Sequence, residues 1–88
     1  MVIILNKCFG GFHLPADFCD AYGFHTYDDI ARDDARLVAY VLDRGVVKDW
    51  CSTLVPVAIP DYATDWEVNE YDGMESVTYV VDGKLYHA

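Results

Sequence analysis

Residues 61–75 read DYATDWEVNEYDGME. Within them, Trp66-Glu67-Val68-Asn69-Glu70-Tyr71 has the aromatic and apolar content of a strand, and Asp72-Gly73 follows at once. Asp-Gly beside strand-like runs is a strong hairpin signal, because a two-residue type I′ turn needs positive φ at both central positions. Residues 74–81 supply the return strand. A second pair, Asp82-Gly83, turns the chain into Lys84-Leu85-Tyr86-His87. The last third is therefore expected to be antiparallel sheet. Val77, Tyr79 and Val81, and again Leu85 and His87, alternate with period two, which predicts one face in and one face out. The opening segment is also strongly charged. It holds six carboxylates, Asp61, Asp65, Glu67, Glu70, Asp72 and Glu75, and no Lys or Arg. One segment is thus a strand, a hairpin corner and a negative surface.

The first two thirds read as strand, helix, helix, strand. Val2-Ile3-Ile4-Leu5 is a short, β-branched apolar run and predicts a buried central strand. Asn6-Lys7-Cys8-Phe9-Gly10-Gly11-Phe12 follows it. The paired glycines there permit positive φ or close backbone approach, which suits a packed turn. No basic residue follows them in phosphate-loop spacing. Residues 15–22 predict a short helix, with Pro15 at its first position, Gly23 as its stop, and Leu14, Phe18 and Tyr22 as its apolar stripe. Asp33 or Asp34 caps a second helix. Leu37, Val38, Val41 and Leu42 form one face of it, and Gly45 ends it. Trp50 is expected to anchor against the sheet. Residues 53–59 predict a strand in which Pro56 lacks a ladder donor, so that strand is expected at an edge or with a bulge. The fold class is α+β: one domain spanning residues 1–88, an antiparallel sheet of about four to five strands, and two helices on one face. No internal repeat, linker or low-complexity segment interrupts it.

Composition narrows the class. A hydrophobic content of 53% is too high for a disordered chain. So much apolar surface in a short chain is also compatible with a homodimer. The net charge of −9 is concentrated in residues 17–34 and 61–75, with the remainder slightly positive. Such blocks repel phosphate and attract basic partners, which argues against direct nucleic-acid binding. The simplest reading of the charge is a solubility surface. Cys8, Cys19 and Cys51 are odd in number and irregular in spacing, which argues against a disulfide framework. They are expected to be reduced thiols. MVIILNK lacks the features of a signal peptide, and no run reaches the roughly 20 apolar residues of a membrane span. A cytoplasmic protein with no membrane partner is expected.

No catalytic pattern stands out. Cys8, His13, Cys19 and His25 do not match a common zinc spacing, so no metal or other cofactor is expected. Cys51 with His87, or Cys8 with His13, would be the nucleophile–base pairs of a small hydrolase if folding brought them together. Glu67 and Glu70 have opposite parity on a strand, which separates them as ligands for one metal. The chain is expected not to be an enzyme.

Four segments, NKCFGGF at 6–12, IARDDARLV at 30–38, VAIPD at 57–61 and WEVNEYDGME at 66–75, together resemble a family of small phage and prophage proteins. The match covers most of the chain in the same order. The chain departs from the pattern in a shorter segment between Phe12 and Arg32, and in ending on VVDGKLYHA where the family tends to a basic, Trp-containing tail. The resemblance implies a phage-linked setting in a host bacterial cell and supplies no mechanism. In size and charge such a chain is similar to phage inhibitors of host defence, including anti-CRISPR proteins. That similarity implies a non-enzymatic inhibitor acting on the basic nucleic-acid-binding surface of a host defence nuclease or CRISPR effector complex. The partner-binding residues would be Asp28, Asp29, Asp33 and Asp34 with Asp65, Glu67, Glu70, Asp72 and Glu75, and the candidate anchors Tyr62, Trp66 and Tyr71, for which core packing is the alternative reading, more so at Trp66 than at Tyr62. The alternatives are a phage accessory or structural interaction protein with a hydrophobic or homodimeric interface, and a small hydrolase.

Overall fold

The computed structural model describes residues 1–49 and 52–88. Trp50 and Cys51, the expected sheet anchor and one of the expected nucleophiles, lie outside the described residues. The described elements are β1 (Val2–Asn6), α1 (Ala16–Tyr22), α2 (Ala35–Arg44), β2 (Val47–Lys48), β3 (Thr53–Ala58), β4 (Asp65–Tyr71), β5 (Met74–Val81) and β6 (Lys84–His87). The α+β class is as expected. The strands, however, form two three-stranded antiparallel sheets, ordered β1-β3-β2 and β4-β5-β6, in place of one sheet of four or five. After β3 the chain passes through Pro60 and a turn, and β4 then pairs with β5 alone.

Three layers result, because β1 and β3 bury both of their faces. Ile4 and Leu54 pack against Leu14 and Phe18 of the α1 region and against Leu37 and Val41 of α2. Ile3, Leu5, Val55 and Val57 point the other way and meet Trp66, Val68, Val77 and Tyr79 of the second sheet. Helices, first sheet and second sheet are therefore stacked in that order, with both helices on one side. A strand covered on both faces reads as a continuous apolar run, which is what residues 2–5 show.

Two expectations about strand position are corrected. β1 lies at the edge of its sheet, and β3 is its centre. The outer edge of β1 is covered by residue 32, whose carbonyl accepts the Ile4 N–H at 2.8 Å. Pro56 sits in the central strand, yet β2 pairs only with Thr53 and Leu54. Beyond those two residues one side of β3 is unpaired by any described strand, so a missing N–H is tolerated at Pro56.

The cap and stop signals of the helices hold, and two placements, Leu42 and Pro15, are corrected. Asp34 caps α2, its carboxylate accepting from the Arg36 N–H at 2.9 Å. Leu37 and Val41 are buried and Val38 half-buried, whereas Leu42 is exposed. Pro15 stands one position earlier than expected, as the residue before the first turn of α1. Both Asp-Gly turns have positive φ at each position, 51° and 88° at Asp72-Gly73 and 51° and 77° at Asp82-Gly83, as the type I′ reading requires.

Candidate functional site

The hairpin β4–β5 has two working faces. By register Trp66, Val68, Val77 and Tyr79 share the inner one. Asp65, Glu67, Asn69 and Tyr71 of β4 therefore share the outer one with Met74, Ser76, Thr78 and Val80 of β5, and with Leu85 and His87 of β6. Leu85 and His87 thus lie opposite to Val77, across from Val80 and Thr78. No described element covers the outer face. Tyr71 is 76% exposed and Leu85 64% exposed. At the turn end, Phe9 and Lys7 wall a groove of about 330 Å³ floored by Asn69, Tyr71, Met74 and Ser76.

The carboxylates on this outer face have little to neutralise them. Neither β4 nor β5 contains a Lys or Arg. The three arginines are all committed elsewhere. Arg32 pairs with Glu75, Arg36 with Asp34, and Arg44 approaches Asp17 and Asp43 at 3.7 and 3.6 Å. Each arginine also lies over an aromatic ring: Arg32 over Phe12 at 3.6 Å, Arg36 over Phe24 at 5.1 Å and Arg44 over Tyr40 at 3.6 Å. Asp65 bonds only to the Trp66 N–H, at 2.9 Å, and Glu67 makes no side-chain hydrogen bond or ion pair among the described residues.

The expected partner-binding residues separate into distinct groups. Asp65, Glu67 and Tyr71 stand together on the outer face, with exposed Asp72 at the adjoining turn. Glu70 has inner-face parity but is exposed, and its carboxylate accepts from the Gly73 N–H, closing its own turn. Tyr62 is exposed beside Tyr79 and Tyr86, away from the groove under Phe9. Trp66 is corrected: it is half-buried on the inner face and packs the second sheet onto the core. Asp28, Asp29, Asp33 and Asp34 belong to the loop that runs beside β1 into α2. Asp28 accepts from the His25 N–H at 2.8 Å. Asp34 is held below the usual carboxylate range by its hydrogen bond from the Arg36 side chain. Asp28 and Asp34 are thus engaged within their own loop, and that loop meets the hairpin at the Arg32–Glu75 pair.

Glu75 is the main correction. It is 5% exposed, and both of its oxygens accept from the Arg32 guanidinium, at 2.7 Å for Oε2. Its Oε1 also accepts the Asn6 N–H at 2.7 Å, and Lys7 Nζ donates to its carbonyl at 2.6 Å. Fully buried Asn6 completes the knot. Its side chain donates to the carbonyls of Cys8 and Gly73, at 2.7 and 2.6 Å, and accepts from the Thr53 N–H at 2.9 Å. A bidentate arginine–carboxylate pair fixes orientation as well as distance. The knot thus joins the NKCFGGF loop, the Arg32 loop and the EYDGME hairpin. Gly73 seals it: a Cβ there would lie 2.5 Å from the Gly11 nitrogen and 2.6 Å from the Phe9 carbonyl oxygen. The sequence reading missed Asn6, Lys7 and Arg32 as positioning residues. Their signal was polar side chains directly abutting a buried apolar strand, or, for Arg32, one cation amid aspartates.

The expected chemistry residues are placed as follows. His13 is buried and lies 3.0 Å from Asp49 through Nε2. Cys19 is buried in α1, where burial pushes its thiol pKa up. Among the described residues no three His, Cys, Asp or Glu side chains are arranged to hold a metal ion. Every buried side-chain nitrogen and oxygen among them has a hydrogen-bond partner. Among the described residues no helix is long and apolar enough to cross a membrane. No family model matches the chain, and neither a curated protein nor a solved structure matches it.

Proposed function

We propose that this chain is a phage- or prophage-encoded anti-defence inhibitor of the anti-CRISPR type, a non-enzymatic protein of the host bacterial cytoplasm. It binds the basic, nucleic-acid-binding surface of a host nuclease or CRISPR complex and blocks engagement of DNA or RNA. The observation that carries this reading is the outer face of β4, where Asp65 and Glu67 stand beside exposed Tyr71 with no cation in either hairpin strand. Nucleic-acid enzymes line their grooves with Lys and Arg to neutralise phosphate, so a rigid negative strip is complementary to them. Phe9 and Tyr71, at the groove, are the aromatic anchors of the type that dominates binding energy. This narrows the acidic face to one hairpin.

Exposed Leu85 on the same face favours a second reading, an interaction protein with a largely apolar interface, a second copy included. Affinity capture from a host lysate separates the two. The inhibitor reading predicts recovery of a nucleic-acid-binding protein that is released when salt rises from about 0.1 M to about 1 M, where the Debye length falls from roughly 10 Å to roughly 3 Å. Asp65→Lys with Glu67→Lys abolishes that capture. Capture that persists in salt and is lost with Leu85→Ser overturns the inhibitor reading in favour of the apolar one.

A further inference from the structure

β4 is an edge strand of the second sheet. The order β4-β5-β6 leaves its far side unpaired by any described strand. The other long candidate, β1, has its outer edge covered by residue 32. The turn geometry decides which groups β4 presents. Residues flanking a two-residue hairpin turn, here Tyr71 and Met74, bond to each other, and the pattern alternates from there. Tyr71, Asn69 and Glu67 thus bond to β5, while the backbone groups of Glu70, Val68 and Trp66 point outward. The Trp66 N–H agrees, since it donates to the Asp65 carboxylate at 2.9 Å and not to β5.

An open edge is a template for another strand unless charge or geometry prevents it. Here the charge selects the occupant. A second copy pairing antiparallel across this edge would place two Asp65 and two Glu67 side chains on one face. A strand with Lys or Arg at alternate positions would neutralise the same residues. We infer that β4 takes up an extended basic segment of the partner as an added strand. Its cations lie beside Asp65 and Glu67, and its intervening apolar side chains lie over Trp66 and Val68. This rests on the reading of the partner as basic and adds the mode of contact: main-chain bonds for affinity, alternate side chains for specificity.

The probe is a capped peptide of about seven residues alternating lysine with valine, with a twin N-methylated at every internal residue. The twin keeps charge and side chains but loses its backbone donors. The expected result is binding of the first peptide, with slowed amide exchange at Val68 and Glu70 and no change at Glu67 and Asn69. The twin should bind about tenfold more weakly or worse, the loss of a few net hydrogen bonds. Equal binding of both peptides, with Val68 and Glu70 unprotected, overturns strand addition and leaves the acidic-face reading intact. Binding of neither peptide also overturns it, while the salt-dependent capture still decides the acidic face. Concentration-dependent protection of Val68 without peptide, with a dimer mass, makes a second copy the occupant and overturns it as well.

Discussion

Glu67 and Glu75 lie on adjacent strands of one hairpin, and they have opposite fates. Glu67 faces outward from β4 with no described partner, while Glu75 is buried under Arg32, Asn6 and Lys7. The difference comes from what lies opposite each residue. Glu75 stands at the end of β5 that β6 does not reach, where the loop after β1 fills the space. Glu67 stands on a sheet face with no described layer above it. An acidic segment can therefore hold a structural residue and a binding residue side by side, and net charge does not distinguish them.

The largest effect is expected at the buried end. Glu75→Ala leaves the Arg32 guanidinium without its counter-charge, and breaking such a pair costs about 3–5 kcal/mol. Urea unfolding of the variant measures this directly. Replacing both members, Arg32→Met with Glu75→Leu, should cost less, because the orphaned charge is gone and the remaining penalty is that of the Asn6 N–H left without its acceptor. A loss under about 0.5 kcal/mol for Glu75→Ala would place Glu75 with ordinary surface residues and remove the contrast with Glu67.

The two Asp-Gly turns sharpen the comparison next. Gly73→Ala and Gly83→Ala meet similar backbone strain, at φ 88° and 77°, but only the Gly73 Cβ meets another loop. About 1 kcal/mol is expected at Gly83 from positive φ alone, and about 2–3 kcal/mol at Gly73, where backbone must also shift. Thermal unfolding of the pair gives the difference. Equal losses would mean that the loop at residues 9–11 moves away without cost.

On the outer face, Asp65→Asn with Glu67→Gln should change stability by less than about 0.5 kcal/mol while weakening capture of a basic partner. A large stability loss would show that these carboxylates also hold the fold.

The smallest effect is titration between the helices. The Tyr40 hydroxyl donates to Asp17 at 2.5 Å. Burial first, and then that hydrogen bond, push the Tyr40 pKa up to about 12. A folded-state pKa above the unfolded value stabilises the fold below the unfolded pKa of about 10, and the contribution is lost as pH rises from there towards 12. Asp17 shifts downward, chiefly through the same hydrogen bond. Its contribution is therefore present above the ordinary aspartate range and lost as pH falls through its lowered value. Phenolate absorbance should show a late-titrating component that Tyr40→Phe removes.

Much of the fold was legible because its signals are local. Period-two alternation with Asp-Gly turns gave the three-stranded C-terminal sheet nearly to the residue, and Asp34, Gly23 and Gly45 marked helix ends. The split into two sheets was not legible, because nothing in residues 59–64 says that β4 declines to pair with β3. Composition points Glu75 to the binding surface, and tertiary neighbours bury it; Trp66, for which core packing stands beside the anchor reading, is half-buried in the core. Strand parity would have placed Trp66 with Val68 on the inner face, since both alternate with Glu67. The partnership of Arg32 with Glu75 spans 43 residues and has no local signal.

The most direct test of the account is a competition on the captured partner. Duplex DNA and this protein are offered together over a salt series, using the wild type and the Asp65→Lys, Glu67→Lys variant. The account predicts that the wild type displaces the DNA at low salt, loses that ability as salt rises, and that the variant never has it. Simultaneous binding of DNA and wild-type protein to the same partner, or displacement by the variant equal to the wild type, would contradict it.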